Sequence, residues 1–138
     1  MERKIFIILL CFSFSMLYAQ EEVKKRPVYC NVMGYNFWGV GKVKVQLDLG
    51  RKSGNGFDSL YGEDGKKLKF NTMMAVLNYM GERGWRTVDN YFISTSSGSK
   101  TIHYLLEKWV TSDEEITKGL TLKEEEPYKP GKNEDDMY

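Results

Sequence analysis

The sequence predicts an α+β domain: a four-stranded antiparallel sheet in the order strand-strand-helix-strand-strand, with one helix packed on one face. Three observations carry this prediction. Val43, Val45, Leu47 and Leu49 alternate with Lys42, Lys44, Gln46 and Asp48, the period-2 pattern of a strand with one wet face. Met73, Val76, Leu77 and Met80 fall at i, i+3, i+4 and i+7, one apolar stripe of a helix. Two extended runs, Trp85 to Ser94 and Thr101 to Trp109, flank Thr95-Ser-Ser-Gly-Ser99, a hairpin connection by composition.

The first strand is read from Pro27 to Gly34, where Val28, Cys30 and Val32 share a face. Gly34 to Gly41 is a glycine-punctuated connection into the alternating strand. Gly50 to Gly56 is an exposed turn by its Gly, Ser and Asn content. Phe57 to Tyr61 reads as a short extended piece before a turn at Glu63-Asp64-Gly65. Asn71 or Thr72 caps the helix, because a short polar side chain satisfies an N–H that the first turn leaves open. Gly81 weakens the last turn, and Gly84 suits the left-handed residue that ends it. In the last two strands Trp85, Thr87, Tyr91 and Ile93 share one side, and Ile102, Tyr104 and Leu106 face inward. Trp85 and Trp109, at strand ends, are expected to pack. Ser112 and Glu115 have capping-box spacing for a short helix ending at Gly119.

The boundaries follow from composition. Residues 1–19 have the layout of a secretory signal: charged Glu2, Arg3 and Lys4, an apolar run from Ile5 to Leu17, and Ala19 as the small residue at the cut. Their run is too short for a spanning helix, which needs about 20 apolar residues. The chain is therefore expected to be exported, to the periplasm or outside, with no membrane span after cleavage. Residues 20–26 form a charged, mobile lead-in, 27–119 a single domain, and 120–138 a charged tail expected to be disordered. From Lys123 onward that tail has no Val, Ile, Leu or Phe to offset its ordering cost.

Cleavage leaves 119 of the 138 residues, enough for one modest core. Losing Glu2, Arg3 and Lys4 takes 20 basic and 19 acidic residues to 18 of each. A neutral chain carries no electrostatic footprint for nucleic acid. Cys11 lies in the leader, so Cys30 has no partner for an intramolecular disulfide and is expected to be a buried, inert thiol.

The run Lys66-Lys-Leu-Lys-Phe70 through Met80 to Gly84-Trp85, followed by Val88, Tyr91 and Tyr104-Leu-Leu-Glu-Lys108, resembles small exported proteins of Bacteroides-type bacteria. Its core is similar to small domains of unknown function in which a helix exits through Gly-Trp into a β-hairpin. The likeness covers residues 28 to 110. Those domains often carry an acid after the tryptophan, where this chain has Arg86. The resemblance implies a fold and an exported setting, and no activity.

Catalytic constellations are sparse. His103 is the only histidine, and the mature chain offers one Cys besides it, too few ligands for a zinc site. A pairing of His103 with a serine of the 94–99 loop is conceivable, but hydroxyl residues and Gly98 are what a turn requires anyway. Asp48, Asp58, Glu63, Asp64 and Asp89 are the carboxylates available for a glycosidase-type pair, and surface and turn roles account for them. Gly39-Val-Gly41 lacks the third glycine of a phosphate loop and leads into a strand. No metal or other cofactor is implied.

The strongest binding candidate is Tyr35, Phe37 and Trp38, three aromatics in a glycine-flanked loop. Such rings stack on a flat ligand or anchor a partner, or they fold back as a lid over the end of the sheet. The reading that follows is an exported, non-enzymatic binding or accessory domain whose partner is an envelope protein or a glycan. Its rivals are a hydrolase of cell-wall or host polymers and a structural envelope subunit that oligomerises through a sheet edge. The leader makes one expectation measurable: mass spectrometry of exported protein should find Gln20 at the N-terminus, and residues 1–19 still attached would refute the signal assignment.

Overall fold

A computed structural model describes residues 22–35, 41–51, 56–96 and 98–127. Six strands and one helix follow in the order β1 (Arg26–Tyr35), β2 (Lys44–Asp48), β3 (Phe57–Tyr61), α1 (Met73–Gly81), β4 (Arg86–Ser94), β5 (Lys100–Val110) and β6 (Thr121–Glu125). They form one antiparallel sheet in the spatial order β4-β5-β1-β2-β3-β6. The four-stranded prediction is thereby corrected. Phe57–Tyr61 is a full member that pairs with β2 through Leu47 and Asp58, and the segment expected to be a disordered tail supplies the sixth strand.

β6 forms despite its charge because its Leu122 and the Leu120 just before it lie where the core needs them. Leu120 and Leu122 pack against the main apolar cluster. The ladder with β3 runs from Phe57 opposite Glu125 to Tyr61 opposite Thr121. To get there from β5 the chain must pass four strand spacings, about 19 Å, and the extended reach of residues 111–120 is about 33 Å. Ile116 packs onto the core along this path. The path is pinned by Arg83, whose Nε donates to the Gly119 carbonyl at 2.7 Å while its Nη1 donates to that of Tyr79 at 2.7 Å.

β1 is central, paired to β5 from Arg26 opposite Val110 to Tyr35 opposite Thr101, and to β2 from Asn31 to Tyr35. Alternation then sorts the sheet into two faces. Cys30 and Val32 of β1, Val45 and Leu47 of β2, Leu60 of β3, and Ile102 and Leu106 of β5 build the core with Met73, Val76 and Met80 of α1 and with Trp85. The helix is capped as expected: the Thr72 hydroxyl accepts from the Ala75 N–H at 3.2 Å, and Gly84 takes φ +87° after the last turn. Gly34 lets the helix approach closely, since a Cβ there would lie 2.4 Å from Met73 Sδ.

Several local expectations are revised. Trp85 packs at 4% exposure, but Trp109 is 57% exposed, because its odd position in β5 turns it to the face opposite the helix. Glu115 caps no helix start through Ser112; its carboxylate instead accepts from the Thr111 N–H at 2.9 Å and the Thr111 hydroxyl at 3.0 Å, closing a single 3₁₀ turn at Asp113–Glu115. The face of β2 expected to be wet is covered at Gln46, whose side-chain amide donates to the Glu126 carbonyl at 2.8 Å. Arg26, placed in the mobile lead-in, opens β1.

Gly56 tests whether β6 belongs to the fold. A Cβ there would stand 2.4 Å from the Glu125 carbonyl oxygen, a backbone atom that cannot yield without moving the strand. Gly56→Ala should cost about 1–3 kcal/mol, the range for overpacking a tight site, read as a lowered urea midpoint. An unchanged midpoint would mean that β6 contributes nothing to stability.

Candidate functional site

Of the three aromatics singled out in the sequence, Tyr35 lies at the end of β1, half-buried, and Phe37 and Trp38 lie outside the described residues. Tyr35 pairs with Lys44 in the β1–β2 ladder, on the face opposite α1. Its hydroxyl donates to Met33 Sδ at 3.8 Å, a weak contact that orients the ring along β1.

Tyr35 closes one end of a groove of about 550 Å³, counting its open mouth. One wall is β2 and its approach, Lys42 to Gln46; the other is Lys67-Leu68-Lys69. The second wall is set by backbone bonds. Gly62 N–H donates to the Lys66 carbonyl at 2.8 Å and Leu68 N–H to that of Leu60 at 2.8 Å, so the chain doubles back along β3. Val43 N–H donates to the Phe70 carbonyl at 2.9 Å, tying the walls together.

Glu125 lies at the floor and organises it. Its carboxylate accepts from the hydroxyls of Ser59 at 2.8 Å and Tyr61 at 2.8 Å, and pairs with Lys67 Nζ at 2.6 Å. Burial works to raise the Glu125 pKa, but the Lys67, Tyr61 and Ser59 hydrogen bonds outweigh it and hold the carboxyl below its ordinary value. The same bond raises the Tyr61 phenol. With Lys42, Lys44, Lys67 and Lys69 against one acid, the groove is cationic.

On the same face, β5, β1 and β4 present a row the sequence reading missed. Glu107 accepts from Arg86 at 3.0 Å and from the Trp109 indole N–H at 3.0 Å, and Tyr29 also bonds it. Tyr29 is half solvent-exposed and Trp109 slightly more. The signal was parity: both residues are odd-numbered positions in strands whose even positions make the core.

His103 belongs to this row. Its ring stacks on Tyr91, with centroids 4.8 Å apart at 14°, and its Nδ1 lies 3.1 Å from Asn31 Nδ2, which donates to it. Burial holds its pKa below the ordinary value. The ladder sets Ser94 opposite Lys100, three residues from His103, or about 10 Å along a strand, so the Ser-His pairing is not formed there. Cys30 is 1% exposed, and burial pushes its thiol pKa well above the ordinary range, as expected for an inert cysteine.

Of the carboxylates weighed as a catalytic pair, Asp48 and Asp58 do share a pocket of about 540 Å³, with Glu124 and Arg51. Arg51 takes up the Asp58 carboxylate in an ion pair. Among the described residues, no three His, Cys, Asp or Glu side chains gather to hold a metal ion, and no helix is long and apolar enough to cross a membrane.

No protein-family model, curated protein or solved structure matches the chain.

His103 and Glu125 each contribute a step to the acid profile, the Glu125 step shared with the other lowered carboxylates Glu107, Glu114 and Glu115. Both pKa values are lowered on folding, so the unfolded chain binds more protons and stability falls as pH falls. The His103 contribution is present above the ordinary histidine value near 6.5 and is lost as pH drops through the lower folded value. The Glu125 contribution is lost in the same way below the ordinary carboxylate value of 4.5. Urea midpoints measured from pH 8 to 3 should show the upper step vanish in His103→Gln and the lower one shrink in Glu125→Gln. A profile that both variants leave unchanged would contradict these environments.

Proposed function

We propose that the chain is an exported, non-enzymatic binding domain that takes an acidic glycan in the groove at Tyr35. The observation that carries this reading is the groove's composition: one aromatic ring and Leu68, with four lysines and a single carboxylate. A sugar ring offers an apolar face to an aromatic side chain. Uronate or sulfate groups on the same polymer suit ammonium groups, which act as point charges and need no fixed approach geometry. The signal-like N-terminus supports export, and the resemblance to exported Bacteroides-type proteins agrees with that setting.

Affinity electrophoresis distinguishes this from general cation binding. Native gels containing polygalacturonate should retard the protein relative to neutral dextran gels. Tyr35→Ala should abolish most of the retardation although it leaves every lysine in place, and Lys44→Gln with Lys69→Gln should weaken it several-fold. Equal migration in the two gels, or retardation untouched by Tyr35→Ala, would overturn the assignment.

A further inference from the structure

The two edges of the sheet are unlike. β6 is five residues long and carries Lys123, Glu124 and Glu125, the charged character that blunts an edge. β4 is nine residues long and every one is exposed. It contains no proline and no lysine, and four apolar residues stand out on its two sides: Val88, Tyr91, Phe92 and Ile93, at 44–54% exposure. Its only protective irregularity is the register shift between Thr87 and Asp89, which leaves Asp89 to Ser94 regular. A long, regular, apolar edge is a template for another strand.

We propose that β4 pairs antiparallel with β4 of a second copy of this chain, about a twofold axis at Phe92. An axis perpendicular to the sheet keeps each face on its own side, so even residues must meet even and odd meet odd. At Phe92 the ring meets its symmetry mate, and Asn90 lies opposite Ser94. On the other face Tyr91 lies opposite Ile93 twice. Aromatic–aromatic and aromatic–β-branched pairs are the favourable cross-strand combinations. Asp89 falls opposite Thr95, and neither charge of β4, Arg86 or Asp89, meets its like. This register also lies wholly outside the shift at Val88.

The backbone agrees with that choice. The Asn90 N–H bonds the Asp89 carboxylate at 2.8 Å, so Asn90 directs its donor off the sheet, and the alternation of the ladder turns the backbone of residues 92 and 94 the same way. These are the positions that would exchange hydrogen bonds across the axis. A formal net charge of +1 for the whole chain gives two copies little reason to repel. Pairing would merge two six-stranded sheets into one.

Cysteine cross-linking tests both the partner and the register. In the full chain carrying Cys11→Ser, Asn90→Cys together with Ser94→Cys places thiols on directly opposed residues, whose Cα atoms stand about 5.5 Å apart in a hydrogen-bonded pair, within disulfide range. Mild oxidation should give a covalent dimer on a non-reducing gel. Asn90→Cys alone should not, since the two copies of residue 90 are then offset by about 13 Å. Adding Phe92→Lys should abolish the cross-link while leaving the unfolding midpoint nearly unchanged, because that ring is 54% exposed. Failure of the double variant to cross-link would overturn the proposal, as would equal cross-linking of Asn90→Cys alone. A disulfide to a different protein would show that β4 serves another partner.

Discussion

The ladder between β1 and β5 is the constraint on which the other elements depend. It is the longest pairing in the sheet, and it joins segments that begin at Arg26 and end at Val110. Through β5 it places β4, and through the other side of β1 it places β2, then β3, then β6. Its parity also decides chemistry. Val28, Cys30 and Val32 meet Lys108, Leu106 and Tyr104 on the helix side, so Tyr29, Asn31 and Met33 are left to Glu107, Leu105 and His103 on the other. A one-residue slip would exchange the two sets and put Asn31 and Glu107 into an apolar core.

The core face is closed by short-range and long-range parts together. α1 supplies Met73, Val76 and Met80, and the return segment supplies Ile116 and Leu120. Arg83 holds these two covers to each other: its guanidinium lies over the Tyr79 ring, 3.4 Å from the centroid, while its nitrogens bond the Tyr79 and Gly119 carbonyls. A helix of nine residues has little stability alone. Its place comes from burial against β1, β2 and β5, and at Gly34 the Met73 side chain occupies the space a Cβ would take.

The opposite face carries the polar and aromatic chemistry. Near β4 and β5 it is held by shared acceptors, with Glu107 joining Arg86, Tyr29 and Trp109. Near β3 and β6 Glu125 plays the same part for Ser59, Tyr61 and Lys67. Each carboxylate gathers three donors and ties its own strand to segments distant in sequence, which rigidifies the platform between them. The groove at Tyr35 lies at the β6 end of that platform, and the apolar edge lies at the other, so glycan binding and self-pairing would not compete for one surface.

Local patterns were enough for the sequence to determine the class, the helix with its Thr72 cap, the turn at Gly84, four of the strands and the burial of Cys30. Each of these rests on periodicity or on a backbone preference that acts within a few residues. The six-stranded sheet was decided only by tertiary structure, because Thr121–Glu125 reads as charged tail until β3 offers a hydrogen-bonding edge and the core offers room for Leu120 and Leu122. The exposure of Trp109, the lysine-walled groove beside Tyr35 and the shared pocket of Asp48 and Asp58 were decided there too. They depend on which distant strands become neighbours and in what register, and a pairing between Arg26 and Val110 leaves no mark on the residues that lie between them.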